Sequence, residues 1–184
     1  WFFDQWIYRP GIPEITASYR YNRRSKLVSL TLKQTQDVES TSLFKLPMTV
    51  VIDDGSISRH EIFFDKEEDT FTFKSDIDPL MVIVDEGFQI PKRLTFEKKA
   101  DELLYQLQNA PAPNDRIWAA RELKETRSTT KIHKTLVEML KNEPKWYVRQ
   151  EGVKTYQKLK PRKGESELME AYKDQDARVK RSII

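Results

Sequence analysis

Two periodicities divide the chain. From Glu14 to about Phe96, apolar and polar residues alternate in short runs; beyond Phe96, apolar residues recur three and four positions apart. The first pattern is that of half-buried strands and the second that of amphipathic helices. Ile15–Tyr21 alternates, Asn22–Lys26 is a polar turn, and Leu27–Thr35 alternates again with many β-branched residues. Phe44–Ile52 is a third predicted strand, in which Pro47 suits an edge or a bulge. Asp53-Asp54-Gly55-Ser56 predicts a hairpin, because an Asp-Gly pair between apolar runs fits the tight turns that join antiparallel strands. Ser56–Asp65, Thr70–Lys74 and Leu80–Val84 follow as strands, the last apolar on both faces. Short strands with turns roughly every 8–12 residues predict an antiparallel β-sandwich.

Phe96, Ala100, Leu103, Leu104 and Leu107 fall on one helical face, and Ala110-Pro-Ala-Pro ends that helix. A repeat then emerges. Asp115–Leu123, Val148–Tyr156 and Ala177–Ser182 align on Arg116, Arg149 and Arg178. Lys131–Lys141 lies between the first two segments and Glu165–Tyr172 between the last two. Helix pairs recurring every 29 to 33 residues, with an Arg after the turn, predict a HEAT-like solenoid. Its last repeat reaches Ile184 within a helix, so the array is expected to be cut or poorly capped there.

The start of the chain fits neither pattern. Phe2, Phe3, Trp6 and Ile7 share helical spacing before Arg9-Pro10-Gly11 stops the run. So many large apolar residues at a chain start form a patch that needs a covering surface. The segment is expected to be the last turn or two of a helix from an upstream domain, docked to it through Trp1, Phe2, Phe3, Trp6 and Tyr8. The alternative is that it folds back on this chain's own core. The expected organisation is therefore 1–13 as a helix end, 14–95 as the β-sandwich and 96–184 as a truncated helical domain.

Composition sharpens the division. Among 184 residues, 33% are charged and 11% aromatic, with a mean hydropathy of −0.70, which argues for a folded chain over a disordered one. No apolar run approaches the length of a membrane helix, so no membrane partner is expected. There are no cysteines, which excludes thiolate metal sites and disulfides here. Residues 1–97 carry 12 Lys and Arg against 16 Asp and Glu, a net of −4, whereas residues 98–184 carry 20 against 13, a net of +7. Such a change of sign accompanies a change of domain.

Candidate chemistry is sparse. His60-Glu61-Ile62-Phe63-Phe64 begins like the zinc-protease motif H-E-x-x-H, but Phe64 replaces the second His and the segment reads as a strand. His60 and Glu61 are expected to be ordinary strand residues, and His133, in a Lys-rich helix, to face solvent. The acidic runs Asp53-Asp54, Asp65–Asp69 and Asp76/Asp78 lack the ligand spacing of a calcium loop. Lys154, Lys158, Lys160, Arg162 and Lys163 read as a solvated helical face, and no nucleic-acid partner is expected. No catalytic, cofactor-binding or metal-binding residue is expected in this chain.

The order of motifs carries a resemblance. Phe2-Phe3-Asp4-Gln5-Trp6-Ile7-Tyr8, Gly11-Ile12-Pro13, Lys26–Gln36 with its Gln-Thr-Gln end, and Phe44-x-Leu-Pro-Met-Thr-Val50 together resemble the aminopeptidase N family of zinc metallopeptidases. Residues 1–95 carry most of it; the helical remainder is similar in type. The resemblance implies that a thermolysin-like domain ends in the segment 1–13, that an immunoglobulin-like sandwich follows, with a strand from Asp85 onward, and that a helical domain comes last. It implies zinc, peptide substrates and the catalytic residues in the upstream domain of the same polypeptide, with no matching position here. This chain would then be a spacer that shapes access to the active site. Arg116, Arg149 and Arg178 read as structural repeat positions.

A scaffold of the same architecture without zinc ligands is the alternative, and Trp118, Trp146 and Tyr147 would be its candidate contacts if they lay exposed. A carbohydrate- or protein-binding sandwich would need outward-facing aromatics such as Tyr19 and Tyr21.

Overall fold

The computed structural model describes residues 1–37, 41–159 and 173–182. The chain forms two compact units, Trp1–Lys98 and Lys99–Ile184.

The first unit holds two antiparallel-rich sheets. Strands β1 (Glu14–Asn22), β2 (Leu27–Gln34), β5 (Glu68–Lys74) and β7 (Arg93–Phe96) form one, in the order β5-β2-β1-β7. Strands β3 (Leu46–Asp53), β4 (Ile57–Phe64) and β6 (Met81–Val84) form the other, in the order β4-β3-β6. Alternation sets which faces are buried. Val28, Leu30 and Leu32 of β2 are buried, as are Leu46, Met48, Val50 and Ile52 of β3. The Phe64 and Phe71 rings meet across the sheets at 6.4 Å, and those of His60 and Phe73 at 4.7 Å. Fully burying each of these Val, Leu, Ile, Met and Phe side chains stabilises the unit by about 1.5–3 kcal/mol. All four residues of β6 are buried, as its two apolar faces predict.

Three expectations need correction in this unit. The sheets are not wholly antiparallel, because β7 pairs parallel with β1, Glu14 opposite Arg93 through Ala17 opposite Phe96. Arg93-Leu-Thr-Phe96 is too short to show a period by itself. Phe96 accordingly closes a strand and does not begin a helix; its ring packs edge-on against Tyr19 at 6.0 Å. Finally, β3 is the central strand of its sheet despite Pro47. The reason is local: β6 pairs only with Val50–Asp53, so at Pro47 only β4 is alongside.

The Asp53–Ser56 hairpin forms as predicted between β3 and β4, with the Gly55 N–H donating to Asp53 Oδ1 at 2.9 Å. Below β6, Asp85 and Lys92 form an ion pair whose side chains are 3% and 0% exposed. The Ile90 N–H adds a bond to Asp85 Oδ2 at 3.0 Å, and Lys92 Nζ stands 4.0 Å from the Phe88 ring centroid.

The second unit is helical: α1 (Ala100–Asn109), α2 (Pro113–Leu123), α3 (Thr130–Asn142), α4 (Trp146–Leu159) and α5 (Ala177–Arg181). Pro113 opens α2, where its missing N–H needs no partner. The Thr129 hydroxyl caps α3 by accepting from the Ile132 N–H. Leu103, Leu107, Ala119, Ala120, Leu123, Ile132, Leu136, Val148, Val153 and Tyr156 belong to one buried cluster. Gly152 lets α3 and α4 approach closely, since a Cβ there would lie 1.8 Å from Met139 Cε. Buried Thr155 donates to the Ala120 carbonyl at 2.8 Å and ties α4 to α2. The predicted helix Glu165–Tyr172 lies outside the described residues, as do Lys160, Arg162 and Lys163; Lys154 and Lys158 are exposed on α4.

Candidate functional site

The aromatic start is the strongest candidate for function, and its order comes from glutamines. Asp4–Tyr8 winds as a π-helical turn closed by the Arg9 N–H donating to the Asp4 carbonyl at 3.1 Å. Arg9 then turns to extended backbone, and Gly11 at φ +91 lies so close to Thr41 that a Cβ would stand 2.5 Å from Thr41 Cγ2. The buried residue of the turn is not an aromatic but Gln5. Its Nε2 donates to the Lys45 carbonyl at 3.1 Å, and its Oε1 accepts from the Lys45 N–H at 2.7 Å. One side chain thus satisfies both backbone groups of a residue as a neighbouring strand would.

Gln34 does the same for the adjacent residue. It accepts from the Phe44 N–H at 2.9 Å and donates to the Phe44 carbonyl at 2.9 Å and the Lys66 carbonyl at 3.1 Å. Gln36 donates to Gln34 Oε1 at 2.9 Å and to the Ser42 carbonyl at 3.0 Å. Three glutamines therefore hold the chain that enters β3 and fasten the aromatic turn to it.

The five residues expected at a docking surface separate into two groups. Trp6 is half-buried, with its ring 5.6 Å from that of Phe44. Trp1, Phe2, Phe3 and Tyr8 are 57, 54, 65 and 78% exposed, and Ile7 is exposed with them. Gln5 and Trp6 are the side chains that the segment buries against its own unit, and the rest forms an outward patch. Phe63 on β4, missed in the sequence, joins it: it is 49% exposed, and its ring meets Trp1 edge-on at 6.5 Å. The signal was present, because Ile62 and Phe64 both face inward and a residue between them must face outward.

His60 and Glu61 are ordinary strand residues. The His60 ring lies against Phe73 and bonds Ser58 Oγ at 3.1 Å, while Glu61 accepts from Thr49 Oγ1 at 2.8 Å. No group of three or more His, Cys, Asp or Glu among the described residues could hold a metal ion. No helix among the described residues is long and apolar enough to cross a membrane. His133 corrects its expectation: it is half-buried, its ring 5.6 Å from Tyr156 and its Nε2 2.9 Å from Ser128 Oγ. Tyr19 and Tyr21 are half-buried, the second donating to the Asp76 carbonyl. Trp118, Trp146 and Tyr147 pack half-buried against the helical core.

The repeat arginines form a ladder. Arg116 donates to Glu143 through Nε at 2.8 Å and Nη2 at 3.1 Å, and its Nη1 donates to the Ala110 and Pro111 carbonyls. Arg149 repeats this with Asp174 at 2.6 and 2.8 Å and with the carbonyls of Glu143 and Pro144. The Arg149 fork holds the Asp174 carboxyl below its ordinary 3.8. Arg178 does not continue the ladder. Ala112, Lys145 and Asp176 occupy equivalent places before their helices, each accepting from the N–H three residues on. That register puts Lys180 in line with Arg116 and Arg149. Arg178 instead pairs with Asp176, whose carboxyl falls to about 2, and stacks 3.5 Å over the Trp146 ring. The sequence alignment followed residue type where the turns set the register. Hollows of about 450 and 440 Å³ flank Pro144, and the Arg116, Glu143, Arg149 and Asp174 groups lining them are already paired with one another.

Residues 100–184 match the family model for HEAT repeats, and the helical unit is a HEAT-like array. Among solved structures, the chain is similar to the crystal structure of Legionella pneumophila aminopeptidase A in complex with aspartic acid. The two share 17% identity and a TM-score of 0.64, over 94% of this chain and 21% of that one. The chain therefore spans about a fifth of the length of that aminopeptidase, with which it shares a fold. No curated protein matches it in sequence.

Proposed function

We propose that this chain is the non-catalytic region that follows the catalytic domain of an aminopeptidase N family zinc metallopeptidase, an enzyme removing amino acids from the N-termini of peptides. The observation that carries this reading is the shared fold across 94% of the chain with one stretch of an aminopeptidase. The ordered motifs from Phe2 to Val50 add to it. In this reading the two sheets are an immunoglobulin-like spacer, and Trp1, Phe2, Phe3, Trp6 and Tyr8 dock to the upstream catalytic domain. That domain holds the zinc and the reacting groups. The helical array shapes the approach of peptide substrates, and its paired arginines serve its own architecture.

The test is hydrolysis of aminoacyl-coumarin amides by the complete polypeptide, with and without a zinc chelator. Turnover that chelation abolishes and zinc restores is expected. A complete polypeptide that folds and binds no zinc would overturn the reading in favour of a scaffold built on the same architecture.

A further inference from the structure

We propose that Phe63 belongs to one docking surface with Trp1, Phe2, Phe3, Ile7 and Tyr8, and that Gln5 is the residue that positions it. The occupant is an apolar face of the domain that precedes residue 1 in the longer polypeptide; this rests on the reading above that such a domain exists.

Ring contacts make the patch continuous: Phe63 to Trp1 at 6.5 Å, Trp1 to Phe2 at 6.0 Å, and Phe2 to Phe3 at 5.7 Å. Exposed Pro47 stands opposite Phe63 across the β3–β4 ladder and extends the apolar ground. Within the aromatic segment the two charges are mutually satisfied, because Asp4 pairs with Arg9. An uncharged aromatic centre within paired charges suits an apolar partner surface.

Two observations select the occupant. The aminopeptidase sharing this fold has about four fifths of its chain outside the matched stretch, ample for a covering domain. Most of the patch is residues 1–8, so whatever precedes them is tethered beside it at high effective concentration. Gln5 sets the geometry. By clasping both backbone groups of Lys45 it fixes the turn on the unit, so that the aromatics face outward without an ordering cost on docking.

Hydrogen–deuterium exchange of residues 1–8 in the complete polypeptide tests this, comparing wild type with F63S, W1S, Q5A and the control I77S. Ile77 is equally exposed but lies beyond the other end of β3, between Asp76, whose N–H bonds Asp54, and Leu80, whose N–H bonds the Asp53 carbonyl. F63S and W1S are expected to raise exchange about tenfold, as truncation of an interface anchor does. Q5A should act in the same direction, and I77S should leave exchange unchanged. Exchange in F63S and W1S equal to wild type would overturn the proposal. So would protection that grows with protein concentration, since it would mark a second copy as the occupant. Protection without peptidase activity would refute the enzymatic reading and leave the docking surface standing; activity without protection would do the reverse.

Discussion

Arg149 grips Asp174 through two parallel hydrogen bonds, from Nε at 2.6 Å and Nη2 at 2.8 Å, across the junction between two consecutive repeats. Both side chains are largely buried, so the pair is screened little by salt and firmly held. R149A should destabilise the helical unit by about 2–3 kcal/mol, because it strands a carboxylate and two backbone carbonyls. R149K should recover only part of this, since an ammonium cannot reproduce the fork. Urea denaturation of the three proteins reads the difference, and an R149A midpoint equal to wild type would refute the structural role.

The same unit should be sensitive to acid. Burial by itself pushes the Glu151 carboxyl up, but the Lys124 hydrogen bond and the charges of Lys124, Arg121 and Lys154 outweigh it and hold Glu151 below its ordinary 4.5. Asp174 is lowered in the same way by Arg149. Carboxyl groups depressed by folding contribute stability that is complete above their unfolded values, 4.5 and 3.8. That stability is lost as pH falls through the lower folded values. Unfolding free energy should therefore drop steadily below about pH 4.5, and the slope should be shallower in E151Q and D174N. Parallel slopes in all three proteins would show that these groups are not responsible.

Gln34 offers a test in the first unit. Q34L removes the partner of both Phe44 backbone groups in a buried setting. A cost of about 2–4 kcal/mol is expected, given roughly 1–3 kcal/mol for each buried group left without a bond. Thermal unfolding checks it; a loss within the range of ordinary surface substitutions would mean that water replaces the side chain.

Lys92 and Asp85 call for a double-mutant cycle. K92M leaves a buried carboxylate without its cation and should cost about 3–5 kcal/mol. Adding D85N removes the stranded charge, and Asn tolerates the positive φ of 59 at this position. D85N/K92M should thus be more stable than K92M alone. With D85N measured as well, a double-mutant cost equal to the sum of the two single costs would mean that the two side chains are not energetically coupled.

Much of this was legible in the sequence because periodicity records which face is buried. β2, β4 and the apolar face of α3 follow directly from it. The strand that the resemblance implied from Asp85 onward starts only at Arg93; four residues carry no period, and their parallel partner β1 lies far away in sequence. The aromatic turn was legible as a patch but not in orientation: Gln5, the one amide side chain among the first eight residues, turned out to be the buried one. Helical spacing could not reveal that, because the deciding interaction is with the Lys45 backbone. The arginine ladder was visible as a repeat, yet its third member was misplaced, since Arg178 matches by residue type and Lys180 by distance from the turn.

Glu143 serves two rungs at once: its carboxylate accepts from Arg116, and its backbone carbonyl accepts from Arg149. The junctions are thereby linked in series, like stitches in a seam. Tension applied along that margin is shared between neighbouring turns and resisted by short polar bonds. The array should therefore open least along this border.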